Sequence, residues 1–172
     1  MKTQDLVEEL QEKQSYQNFK SENPSAFFSA GFFILDLKEN QEQIQLDFFL
    51  PEKEEIAAFE FPFAEPKIHK DIISVGKSGA TEPGKIKPMS PQTTDIKIDL
   101  DDIGPISKEI IKENGSAIIP TKIIAILKDN QWNLTCMDDM LGMVRIKLDA
   151  LTGERIDFSK GSLMDFMGIK KK

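Results

Sequence analysis

The chain predicts an α+β fold of two helix-on-antiparallel-sheet units, on three observations. Each part runs an amphipathic helical stretch and then several strand-like runs. The runs are joined by connections too short for anything but antiparallel neighbours. A window rich in Gly, Pro and Ser separates the two parts. The units are expected at residues 1–73 and 93–172, with 74–92 a linker or long loop.

Taken in order, residues 4–20 have helical spacing. Leu6, Val7 and Leu10 share one face, Tyr16 and Phe19 extend it, and Glu8, Glu9, Glu12 and Lys13 lie elsewhere. Asn23-Pro24 ends the helix, because the residue before proline is pushed out of the α region. Strands follow at 26–37, 43–50 and 55–61. The first is apolar on both faces, which predicts a central strand. The second alternates Ile44, Leu46, Phe48 and Leu50 against Gln45, Asp47 and Phe49, and Pro51-Glu-Lys-Glu54 turns it into the third. The 74–92 window holds Gly76, Gly79, Gly84, Pro83, Pro88, Pro91, Ser74, Ser78 and Ser90, a mixture that buries little apolar surface.

The second helix is expected over 102–114. Ile103, Ile106, Ile110 and Ile111 form its apolar face, Asp101 or Asp102 caps its start, and Asn114-Gly115 stops it. Strands follow at 121–128, 131–137, 143–149 and 154–158, and Ser162 to Gly168 forms a short helix or tail. Gln43-Ile-Gln-Leu46 echoes Gln131-Trp-Asn-Leu134, and Leu50-Pro-Glu-Lys echoes Leu148-Asp-Ala-Leu-Thr-Gly, which suggests duplication. The two echoes need different offsets, so no gap-free repeat satisfies both.

Composition narrows function. The 172 residues carry a net charge of −7, which argues against nonspecific nucleic-acid binding, since that needs a cationic surface. The excess lies entirely in residues 1–70, with 14 acids against 7 lysines, whereas 71–172 balance at 15 and 15. A single cysteine, Cys136, forms no internal disulfide and fits a reducing compartment. The polar, acidic start does not resemble a signal peptide, and the apolar run Ala26–Leu35 is half the length a membrane helix needs, so a cytoplasmic protein is expected.

The candidate chemistry is thin. Asp149, Thr152 and Glu154 offer oxygen ligands, but the alternating flanks Val144–Asp149 and Arg155–Phe158 predict a hairpin whose turn uses Asp149 as a local acceptor and Gly153 for positive φ. Cys136 with Met137, Met140 and Met143 suits a soft metal, yet the Asp138-Asp139 and Gly142 context is that of a loop with inward-packing sulfurs. His69 is the sole histidine and has no ligand or nucleophile pattern around it. Gly76-Lys77-Ser78, with Gly79 and Gly84, lacks phosphate-loop spacing. Asp99, Asp101 and Asp102 suit capping and solvated strand ends, and Lys170–Lys172 a frayed tail. Phe27, Phe28, Phe32 and Phe33 fit a core or a dimer interface equally well.

Ile146-Lys-Leu-Asp-Ala-Leu-Thr-Gly-Glu-Arg-Ile156, preceded by Gln131-Trp-Asn-Leu134, resembles the closing strands of PepSY-type domains. Residues 95–158 fit the helix-to-strand order of that family, and Ile44 to Lys53 is similar to a more divergent copy. The resemblance implies tandem cystatin-like units and a non-catalytic role, often restraint of peptidases or contact with other proteins. That family is commonly secreted or membrane-attached, an envelope role that the start of this chain does not support. The expectation is therefore a non-enzymatic interaction module with no cofactor, no catalytic or metal residues, no nucleic-acid partner and no transmembrane segment. Its partner would be another protein, or a second copy, bound through a sheet face or edge. A small-ligand or cation-binding protein with pockets between helix and sheet is the alternative.

Overall fold

The computed structural model describes residues 1–75 and 81–162. The chain opens with two helices, α1 (Thr3–Gln11) and α2 (Gln14–Glu22), then strands β1 (Phe27–Asp36), β2 (Gln41–Leu50), β3 (Glu55–Glu60) and β4 (Lys67–His69). A hairpin of β5 (Asp71–Val75) and β6 (Thr81–Lys85) precedes α3 (Leu100–Glu113). Strands β7 (Lys122–Lys128), β8 (Gln131–Met137), β9 (Gly142–Asp149) and β10 (Arg155–Ser162) complete it.

The expectation of two helix-on-sheet units fails. Eight strands form one continuous antiparallel sheet in the order β10-β9-β8-β7-β1-β2-β3-β4. The join is the pairing of β1 with β7, which runs through seven residue pairs from Ala30–Lys128 to Asp36–Lys122. The physical reason lies in β1 itself. A strand largely buried on both faces has a row of amide and carbonyl groups along each edge, away from water, that must be satisfied by neighbouring strands. The first strand of the second meander, β7, takes the edge that β2 does not.

One face of this sheet carries the core. Inward residues of β1 (Phe28, Phe33, Leu35), β2 (Leu46, Phe48), β7 (Ile123, Ala125, Leu127), β8 (Trp132, Leu134, Cys136) and β9 (Val144, Ile146, Leu148) belong to a single buried cluster with all three helices. Phe33 on β1 packs against Trp132 on β8, ring centroids 5.8 Å apart, across the small Ala125 that lies between them. Gly31 makes room for this packing, because a Cβ there would come within 2.7 Å of the Phe33 ring. Core aromatics bury large areas, so shortening Phe33 to alanine would remove about 3–5 kcal/mol.

The helix expected over 4–20 is broken at Glu12-Lys13. At 100° per residue, Phe19 would sit about 180° from Leu10 around an unbroken helix. The break turns Tyr16 and Phe19 back to the sheet, where they meet Phe48 and Phe59 at centroid distances of 5.4 and 5.2 Å.

The 74–92 window contains regular structure, since β5 and β6 pair over Asp71–Lys85 to Val75–Thr81. Gly76, Lys77, Ser78 and Gly79 lie outside the described residues, as do 163–172 with the expected tail and the terminal lysines. Ser162, the expected start of that tail, closes β10. After β6, Ile86 and Met89 cover Phe49, Ile56 and Phe27 at one end of the sheet's second face. Gln92 then fastens the chain to both halves. Its backbone amide donates to the Phe28 carbonyl (2.8 Å), and its side chain exchanges bonds with Asn130 (2.8 and 3.0 Å).

Candidate interaction surface

The alternation that buries one face of the sheet leaves most of the other open beyond the end covered by Ile86 and Met89, and among the described residues α1, α2 and α3 all pack on the buried side. The register sets its residues in rows. Phe32 is level with Gln45 and Glu60 in one direction, and with Ile126, Asn133, Lys147 and Asp157 in the other. Ile34 is level with Gln43, and with Ile124, Thr135, Arg145 and Ser159. The middle of this face is therefore apolar, with half-buried Phe32, Ile34, Ile124 and Ile126 side by side on β1 and β7. Amides and hydroxyls flank it, then charge: Glu60 outward on β3, Arg145 and Lys147 on β9.

Two shallow troughs run beside the apolar strip. One, of about 340 Å³, is lined by Phe32, Ile34, Gln43, Gln45, Glu60 and Phe61. The other, of about 360 Å³, is lined by Asn133, Thr135, Arg145, Lys147, Asp157 and Ser159. Asp47, on β2, takes a hydrogen bond from Gln45 Nε2 at 2.8 Å. Burial raises its pKa from the ordinary aspartate value, against the opposing pull of the Gln45 bond and of His69. Glu60 is paired with Lys67 at 3.1 Å.

The four phenylalanines divide by strand parity and a bulge between Phe28 and Ala30. Phe28 and Phe33 enter the core, while Phe27 and Phe32 face the other way. Ile124 and Ile126 had no distinguishing signal, because the run Lys-Ile-Ile-Ala-Ile-Leu-Lys is apolar at both parities.

The other sequence candidates are distributed as structural parts. Asp149 Oδ1 accepts from the amides of Leu151 and Thr152 at 2.8 and 3.0 Å, and Gly153 takes φ +81°. The turn closes with Gly153 donating to the Asp149 carbonyl and Asp149 to that of Glu154. Thr152 Oγ1 accepts from the Glu154 amide, so Asp149 Oδ1 and Thr152 Oγ1 both serve the backbone of the turn, while Glu154 is exposed.

The cap of α3 is Asp99, correcting the assignment to Asp101 or Asp102. Asp99 Oδ1 accepts from Leu100 N at 2.7 Å, and Asp102 returns the bond to Asp99 N at 2.9 Å. The same buried oxygen also accepts from Thr3 N and Thr3 Oγ1, both at 2.8 Å, so it clasps the start of α1 to the start of α3. Asp101 is exposed and paired with the amino terminus.

The sulfur atoms do not converge. Cys136 points into the core, Met137 and Met143 share the opposite face, and Met140 stands exposed in the loop. Burial pushes the Cys136 thiol up to about 11, with Ser107 pulling slightly the other way. Such a thiol holds its proton at neutral pH and is a poor nucleophile. His69 is exposed on β4 opposite Ile56. Among the described residues, no three His, Cys, Asp or Glu side chains are arranged to hold a metal ion. None of the helices there is long and apolar enough to cross a membrane.

No protein-family model matches the chain, and no curated protein matches it. Among solved structures it is similar to a putative lipoprotein from Clostridium difficile 630, at 12% identity and a TM-score of 0.47, over 86% of this chain and 90% of that one.

Proposed function

We propose that this chain is a non-catalytic protein-interaction module whose working surface is the open face of the sheet. The observation that carries the reading is the strip Phe32, Ile34, Ile124 and Ile126, apolar and half-buried at the centre of a polar face. Apolar centres with polar rims are the anatomy of protein contacts. The non-catalytic part is supported by the jobs already held by the reactive groups: Asp99 and Asp149 serve backbone amides, and Cys136 is buried with its proton. A cytoplasmic setting, supported by a lone unpaired cysteine, belongs to the same proposal. So does kinship of residues 131–158 with the closing strands of PepSY-type domains, on the sequence Asp149-Ala-Leu-Thr-Gly-Glu154 and its preceding tryptophan strand.

The test is affinity capture from the cell that makes the protein, using the intact chain and two variants, Phe32→Asp and Ile126→Asp. A specific partner held by the wild type should be lost by at least about tenfold from both variants, since each places a charge at the centre of the contact. A Glu109→Ala variant on the exposed side of α3 should retain it. Partners indifferent to the two face variants would refute the reading.

A further inference from the structure

We propose that the open face binds a second copy of this chain, face to face, about a two-fold axis parallel to the strands and centred over the β1–β7 seam; this rests on the reading of that face as an interaction surface. The argument is one of self-complementarity. Such an axis exchanges the two directions away from the seam and keeps each row level with itself. Strand by strand, β1 falls over the partner's β7, β2 over β8 and β3 over β9.

In the row of Phe32 the consequences are specific. Phe32 meets Ile126 of the second copy, Gln45 meets Asn133, and Glu60 meets Lys147. In the next row Ile34 meets Ile124 and Gln43 meets Thr135. Apolar falls on apolar, amide on amide or hydroxyl, and carboxylate on ammonium, twice over by symmetry. A two-fold axis perpendicular to the strands would instead set each half of the sheet over its own copy, with the basic β9 over β9. The charge pattern thus selects one orientation of two. Sheets stack about 10 Å apart with their strands within about 30°. Six strands spaced about 4.8 Å give a face about 29 Å across.

Sedimentation equilibrium on the full-length chain tests this. The wild type should show twice the 19.4 kDa chain mass. Lys147→Glu and Glu60→Lys should each raise the dimer dissociation constant about tenfold or more, because each sets like charges opposite one another in two places. The exchange of both, Glu60→Lys with Lys147→Glu, should recover most of the affinity lost by either single variant, stopping short of wild type because position 60 lies beside Lys67 and position 147 is level with Asp157 in the same chain. Both residues are on the surface, and circular-dichroism melts check that the variants fold. A monomeric wild type, or a dimer unmoved by the two single variants, overturns the second-copy proposal. Either result leaves the Phe32-dependent capture experiment to decide the broader reading independently.

Discussion

Gly153 and Asp149 show how two residues of one turn can differ in what they contribute. Gly153 holds φ +81°, which costs a residue with a Cβ roughly 1–2 kcal/mol. A side chain there would also press on Ile98 Cδ1 at 3.3 Å. Gly153→Val should therefore lose about 2 kcal/mol or more in chemical denaturation, with β-branching adding to the strain. Asp149 needs only an oxygen acceptor for the amides of Leu151 and Thr152, and asparagine supplies one. Asp149→Asn should stay within about 0.5 kcal/mol of wild type. A larger loss for Asp149→Asn than for Gly153→Val would mean that the carboxylate charge, not the turn, is what the site needs. This turn was legible in sequence because alternation on both flanks leaves one place for the chain to reverse.

At the scale of elements, legibility followed periodicity. Seven of the strands lie within a few residues of where alternation puts them, and β1 is central as its two apolar faces predict. The β5–β6 hairpin was hidden because glycine and proline mask the strand signal in Thr81-Glu-Pro-Gly-Lys85. The Asp99 clasp was hidden for another reason. Its partner Thr3 is 96 residues away, and no local pattern announces such a bond. Removing it should be costly, because Asp99→Ala strips a helix cap and orphans the buried donors of Thr3. Cap loss of about 0.5–2 kcal/mol and an unsatisfied buried donor of about 1–3 kcal/mol suggest a total of about 2–4 kcal/mol. Asp101→Ala, on the exposed side of the same turn, should fall within about 0.5 kcal/mol of wild type. Urea midpoints of the two variants settle the comparison, and equal losses would show that Asp99 is an ordinary surface carboxylate.

For the whole molecule, the decisive feature is that one core serves both halves. Sequence patterns describe a strand's faces and say nothing of which edge meets which, so two meanders predicted apart are found fused. The apolar strip was illegible for the same reason, since Phe32 and Ile126 become neighbours only through the seam. The fused core predicts a single cooperative transition. Near-ultraviolet circular dichroism from Trp132, which is fully buried, should change together with the far-ultraviolet signal on heating. Residues 93–172 alone, without Phe33 to pack on Trp132 and without β1 to pair with β7, should show no cooperative melt. Two well-separated transitions in the intact chain would restore the two-unit picture.

The seam also places a demand on biosynthesis. The ribosome releases β1 long before its second neighbour, since Asp36 and Lys128 are 92 positions apart. At about 5–20 residues per second, the nascent chain carries a bare, phenylalanine-rich strand edge for roughly 5–20 s. During that interval another nascent chain can supply the missing strand as well as β7 can. Slow translation through residues 37–121 should therefore cost yield, and a chaperone that shields strand edges should recover it.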